Sequence, residues 1–293
     1  MSKPFVGIIG GSGLGQALGA LGSGETHDVD TPFGKPSQPI VVTEVEGVRI
    51  ALLARHGQGH RHSPTFVPYR ANIFAMKKLG VTHVLASAAS GSLKEEIAPR
   101  DLVVVDQAID KTFRRPNTFF DELAVHTELA SPFCPTLRGL MLAAAPKVKA
   151  KVHTQGTYVC MEGPGFSTRA ESELHRSWGA ELIGMTLLPE AKLAREAELC
   201  YAAVGLATDY DCWRPPEHEV DKLKLLEEII GNLKSATANA LELLRATLPA
   251  VGQLQPGTCA CASALAQAIW TDKNAISPEV KSKLAPIIGK YVG

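Results

Sequence analysis

The chain has 293 residues, enough for one large domain or two small ones, and its 45% apolar and 20% charged content suits a soluble globular protein with a full core. Thirty basic and thirty acidic residues cancel, which disfavours nucleic acid or another polyanion as a partner. No apolar run reaches the roughly 18 residues of a membrane span, and MSKPFVGIIGG lacks a secretory signal pattern, so no membrane partner and a cytoplasmic location are expected.

In chain order, Phe5–Ile9 reads as a strand running into Gly10-Gly11-Ser12-Gly13. Apolar runs at Pro39–Val42 and Arg49–Leu53 predict two more strands, and Tyr69–Leu79 has helical spacing. His83–Ala86 and Leu102–Val105 are short apolar runs that suit buried strands. Leu137–Ala145 reads as a helix, Val152–Cys160 alternates like a strand, and Ala170–Trp178 and Glu190–Glu198 read as helices. Cys200–Thr208 is an apolar strand with a polar end. From Glu219 to Leu248 one long amphipathic helix is expected, with Leu223, Leu226, Ile230, Leu233, Leu241 and Leu244 as its stripe.

Strands and helices interleave throughout, so the expected class is α/β with a central mixed sheet flanked by helices. The one plausible joint is Val251–Gly257. It divides a main domain, 1–250, from a C-terminal helical extension, 251–293, with helices near Cys259–Ile269 and Pro278–Lys290. The extension is too small to fold alone and should pack on the main body or on a neighbouring subunit.

Three places carry chemistry. The turn Gly10–Gly13 can surround an anion with N–H groups and the Ser12 hydroxyl, although a tight turn without ligand reads equally well. It lacks the third glycine of a dinucleotide fingerprint, and Gln16 stands there instead. Arg55-His56-Gly57 lies at a strand's carboxyl end, where α/β sheets present ligand groups, and an arginine fork pairs well with phosphate. His56, His60 and His62 have no carboxylate or thiolate nearby in the sequence, so substrate-contacting or surface histidines are a better account than a metal site. Asp209 and Asp211 follow an apolar strand. If the chain stays extended they face one side, and mutual repulsion raises one pKa toward a proton-donating acid; a helix cap or solvated turn is the alternative. The six cysteines, Cys134, Cys160, Cys200, Cys212, Cys259 and Cys261, are too dispersed for a disulfide-rich small fold, and Cys259-Ala260-Cys261 is not the C-x-x-C of a zinc ribbon. Reduced thiols or structural disulfides are expected, and no metal.

Six segments in order change the picture: GIIGGSG at 7–13, LARHG at 53–57, GSLKEE at 91–96, EGPGFS at 162–167, Met185-Thr186 with Pro189-Glu190, and TDYDCW at 208–213. Together they resemble the trimeric purine nucleoside phosphorylase superfamily, and within it the methylthioadenosine phosphorylases, over about residues 5 to 250. The resemblance implies phosphorolysis of a purine nucleoside by a pentosyltransferase, with phosphate as co-substrate and no cofactor. It implies that Ser12, Arg55, His56, the backbone of Ala88 and Ala89, and Thr186 hold phosphate. Met185 would lie against the ribose, and Phe166 and Ser167 would flank the base. Asp209 would face purine N7 and Asp211 the exocyclic amine. Val220 and Leu223 would line the 5' pocket, and His126 would reach a neighbouring subunit's site in a homotrimer or dimer of trimers.

A carboxylate accepts from a 6-amino group, which argues for adenine over 6-oxopurines. The alternative is broader or 6-oxopurine specificity. It is raised by the departures from the family pattern at Gly165, Ala88, Ser90, Pro68, Leu187 and Leu188, none of which touches Asp209, Arg55 or His56. The tail with Cys259 and Cys261 is similar to a hexamer-forming archaeal-type branch, which implies extra subunit contacts or disulfides.

Overall fold

The computed structural model describes residues 3–214 and 222–292. The chain begins with β1 (Val6–Gly10), α1 (Leu14–Ala17), β2 (Glu25–His27), β3 (Ile40–Val45), β4 (Val48–Ala54) and α2 (Tyr69–Lys78). It continues through β5 (His83–Ser92), β6 (Leu102–Val104), β7 (Gln107–Lys111), α3 (Pro135–Ala144), β8 (Val152–His153) and β9 (Thr157–Met161). The last part is α4 (Arg169–Ser177), β10 (Leu182–Gly184), α5 (Leu187–Glu196), β11 (Cys200–Asp209), α6 (Lys222–Val251), α7 (Pro278–Lys283) and α8 (Ala285–Val292).

These strands form one mixed sheet of order β2-β3-β4-β1-β5-β10-β9-β7, with β11 pairing β5 and β6, and β6 pairing β8. β1, β4, β5 and β11 run parallel and are almost wholly buried, as strands covered on both faces must be. One apolar cluster, with Ile9, Phe74, Phe119 and Leu193, covers one face. A second, with Ile8, Leu137, Leu206 and Leu243, holds α3 and α6 on the other.

β5 outruns its expected end at Ala86, because Ser87-Ala88-Ala89-Ser90-Gly91 looks too small and polar for a strand. Small side chains are what its position requires. One edge of β5 pairs with β11 from His83 to Gly91. On its other edge it pairs with β1 up to Ala86 and with β10 only from Gly91. On that second edge, residues 87–90 have no strand neighbour among the described residues, and the sheet splits open there.

Three expectations change. The run 152–160 is two strands, β8 and β9, separated by a turn. The stripe on α6 is buried only in its C-terminal part, where Ala236, Ala240, Leu243, Leu244 and Leu248 face the sheet, while Leu223, Leu226 and Ile230 are exposed. In place of a helix over 259–269 there is one short 3-10 turn, Ala260–Ser263. The segment after Val251 packs on this same chain. Leu265, Ile276, Ile287 and Ile288 join the first apolar cluster, and the Ile269 backbone bridges to Val125. Buried Glu198 accepts hydrogen bonds from Leu265 N and the Tyr291 hydroxyl, and pairs with Lys290.

Candidate active site

A cavity of about 490 Å³ opens at the split in the sheet, a size suited to a small organic ligand. Ser12, His56 and Thr186 lie on its wall together with Ala89, and so do Asp209 and Asp211. Met161, Ile183, Met185, Ile229 and Leu233 supply apolar wall, and Phe166 stands at the rim, 86% exposed.

The acidic end is built by β11. Its register against β5 shifts between Ala207 and Asp209, an irregularity that re-aims the strand's last side chains. The Thr208 hydroxyl donates to Asp209 Oδ2 (2.6 Å) and the Asp211 N–H donates to Asp209 Oδ1 (2.7 Å). Asp211 has φ 50°, so the chain turns here instead of staying extended. The two carboxyls share the cavity because of that turn, which corrects the expected alternation. Burial is the main force raising the Asp209 pKa, the two hydrogen bonds oppose it, and the Asp211 charge adds a smaller push. Mutual repulsion is thus the lesser cause. Asp211 Oδ2 is buried without a hydrogen-bond partner, which is costly unless a ligand supplies a donor. Gly91 seats the pair, since a Cβ there would come within 3.1 Å of Asp211 Cβ and 3.2 Å of Asp209 Oδ1.

At the other end, His56 Nδ1 donates to the His62 carbonyl (2.8 Å) and its ring stacks on His60, with centroids 4.0 Å apart. Burial pulls the His56 pKa down to about 4, against that hydrogen bond and with help from the neighbouring Arg55 charge. The imidazole is therefore neutral at pH 7. Thr186 is the residue before α5 and makes no side-chain hydrogen bond to the helix. Ala88 is buried in β5 beside Ala89.

Arg55 does not line the cavity. It is wholly buried, gripping both oxygens of Glu190 (2.7 and 2.8 Å) and the Ser87 carbonyl (2.7 Å). The Tyr201 hydroxyl also donates to Glu190 (2.7 Å). This unit sits behind the glycine turn, because a Cβ on Gly11 would lie 2.7 Å from Arg55 Nη1 and 2.9 Å from the Ser87 carbonyl. Its first role is to support the floor.

Other expected residues fall elsewhere. Ser167 is off the wall and uses its carbonyl to accept the Cys212 thiol. Leu223 is 69% exposed, and Ile229 and Leu233, further along α6, take the wall positions. Val220 lies outside the described residues. His126 is exposed against Trp270 and does not reach this chain's cavity.

Sequence reasoning missed Arg115. It donates to Glu162 Oε1, the Tyr69 hydroxyl and the Met185 and Leu188 carbonyls, tying four segments around the cavity. Burial opposes the charge on Glu162, but hydrogen bonds from Thr65, Phe113, Arg114 and Arg115 bring its pKa down to about 2. Glu162 stood in a noted motif, whereas nothing around Arg115 marks it in the sequence.

Residues 5–249 match the family model described as the phosphorylase superfamily, which places the chain in that superfamily. An S-methyl-5'-thioadenosine phosphorylase of Geobacter sulfurreducens is 49% identical, covering 99% of this chain and all of the relative. One from Gloeobacter violaceus is 47% identical, covering 98% and 95%. Among solved structures, a methylthioadenosine phosphorylase from an Antarctic soil metagenomic library superposes with a TM-score of 0.89 at 43% identity, covering 98% and 99%. The Schistosoma mansoni methylthioadenosine phosphorylase in complex with adenine superposes at 0.81 and 34%, covering 98% of both chains. The chain belongs to the S-methyl-5'-thioadenosine phosphorylase family.

Proposed function

We propose that the protein transfers the 5-methylthioribosyl group of 5'-methylthioadenosine to inorganic phosphate, releasing adenine and 5-methylthioribose 1-phosphate, a pentosyltransferase step of methylthioadenosine and methionine salvage. The observation that carries this reading is the acidic end of the cavity. It pairs a buried carboxyl whose pKa burial raises with a carboxyl oxygen that has no partner. Adenine offers N7 as a proton acceptor and the 6-amino group as a donor, in the sense those two groups require.

Breaking the N-glycosidic bond leaves the electron pair on the purine and positive charge on the sugar. Asp209 donates its proton or a hydrogen bond to N7 and relieves the leaving base. Phosphate attacks C1' from the opposite face and stabilises the cationic sugar, so the product is the inverted α-1-phosphate. Ser12, Thr186 and the open backbone edge at Ala88–Ala89 hold the phosphate, with neutral His56 accepting a hydrogen bond from its P–OH through Nε2. Arg55 acts as a positioning residue behind Gly11. Met185 lies against the ribose, Phe166 against the base, and Ile229 with Leu233 supplies apolar contact for the methylthio group. The chemistry calls for no cofactor beyond the co-substrate.

Side-by-side incubation of the protein and phosphate with methylthioadenosine, adenosine or inosine, followed by chromatography of the free bases, tests the reading. Release of adenine from methylthioadenosine at the highest kcat/KM is expected. Faster release of hypoxanthine from inosine would replace it with 6-oxopurine specificity.

The same reading carries a homotrimer or dimer of trimers in the cytoplasm, in which His126 reaches a neighbour's cavity. Exposed Phe66, Phe113 and Trp270 support association. Light scattering tests it, and a monomer that turns over at full rate overturns it. No helix among the described residues is long and apolar enough to cross a membrane.

A further inference from the structure

Far from the cavity, the fold gathers four of the six cysteines. Cys134 immediately precedes α3, Cys200 opens β11, and Cys259 and Cys261 flank the start of the 3-10 turn in the C-terminal segment. Their four sulfur atoms all lie within 4.8 Å of one another, and Cys134 Sγ and Cys259 Sγ are 3.6 Å apart. All four are free thiols.

The geometry has the form of a metal site. Four thiolates around a tetrahedral zinc ion at about 2.3 Å stand about 3.8 Å from one another, so the sulfurs here need to move by no more than about 1 Å. The backbones that carry them are fixed. Cys134 N donates to the Tyr201 carbonyl (2.7 Å), Cys200 N donates to the Thr82 carbonyl (3.1 Å), and the Cys259 and Cys261 carbonyls accept from Ala262 N and Ala264 N. Cys134, Cys200 and Cys261 are buried and Cys259 is half-buried, which leaves an entry side. Soft thiolate donors select zinc over the hard cations. With four protein donors no position is left for substrate, so the site would be structural. Binding releases the thiol protons to solvent and involves no redox change.

We propose that Cys134, Cys200, Cys259 and Cys261 form a tetrathiolate zinc site that clamps the C-terminal segment to the main body. The position is independent of the chemistry. Cys200 and Asp209 lie at opposite ends of β11, nine residues or about 30 Å apart. The clamp joins the one region after Val251 that has no strand in the sheet to the ends of two central elements, while Glu198 anchors the far part of the same segment.

The test is metal analysis of untagged full-length protein purified under nitrogen without chelator, with intact mass measured after denaturation without reductant. About one zinc per chain with fully reduced cysteines is expected. Mercurial titration should release that zinc, and cobalt substitution should give the sulfur-to-metal charge-transfer absorption of a thiolate site. A Cys259→Ser/Cys261→Ser double variant should lose the zinc, become more sensitive to proteolysis after Val251, and still release adenine. Protein without zinc overturns the proposal, whether its thiols all titrate or its mass is lower by about 2 Da for each disulfide. Zinc retained in full by the double variant also overturns it. The wild-type readings decide the matter even if the variant does not fold.

Discussion

Two charged clusters flank the cavity, and they are finished to different degrees. Behind the glycine turn, Arg55, Glu190, Tyr201 and the Ser87 carbonyl satisfy one another with both charges fully buried. At the other end, burial raises the Asp209 pKa above the ordinary carboxyl value and Asp211 keeps an oxygen with no partner. The first cluster is complete before any ligand arrives; the second waits for a ligand to complete it. The buried ion pair fixes shape, whereas the acidic end of the cavity keeps an oxygen open to a donor.

Breaking the completed cluster should cost stability first. Arg55→Met leaves Glu190 charged and unpaired, and a loss of about 3–5 kcal/mol in urea unfolding is expected, much of it recovered in the Arg55→Met/Glu190→Met double variant. A marginal loss in the single variant would show that the pair is not structural. The incomplete cluster should behave in reverse. Asp209→Ala is expected to lower kcat/KM for methylthioadenosine by about 10²- to 10⁴-fold while the Tm stays level or rises. If folding suffers as much as turnover, the contrast between the clusters fails.

Gly91→Ala adds a methyl group against both aspartates. A cost of about 1–3 kcal/mol is expected as the acids are pushed outward. Turnover should fall further than the mild loss of stability explains, since small misplacements of acid groups are expensive in rate. The smallest effect concerns pH. Folded His56 stays neutral to about 4, whereas the unfolded chain protonates it below 6.5. The unfolded state therefore binds more protons in that window, and stability falls as pH drops from 6.5 through 4. Between pH 7 and pH 4.5 the unfolding free energy from urea titration should fall further for wild type than for His56→Gln, by on the order of 1 kcal/mol.

The layered α/β class and most long elements were legible, because apolar runs such as 201–207 and helical spacing such as 69–79 report burial directly. The short strands β2, β7 and β10 were not, since QAIDK or ETH shows no apolar alternation. Ser12, His56, Thr186, Asp209 and Asp211 all line the cavity, and ordered motifs and strand ends that present polar groups had singled them out. The partnership of Arg55 with Glu190 spans 135 residues and leaves no local trace. Leu223 was placed at the 5' pocket by resemblance alone, and the stripe on α6 could not correct it, because it does not say which turn reaches the cavity wall taken by Ile229 and Leu233. The cysteines were read as reduced thiols or structural disulfides and not as one cluster, because residues 134, 200, 259 and 261 meet only after the chain has folded.

β5 has a consequence for ligand length. Ala89 lines the cavity and Gly91 seats the acids, two residues apart on one strand, so about 7 Å of fixed backbone rise separates the two positions. That strand acts as a gauge whose graduations are set by peptide geometry instead of by side chains. Inserting one residue into it would turn every later side chain to the opposite face, so tuning by gradual substitution is open to the walls of the cavity but closed to its span.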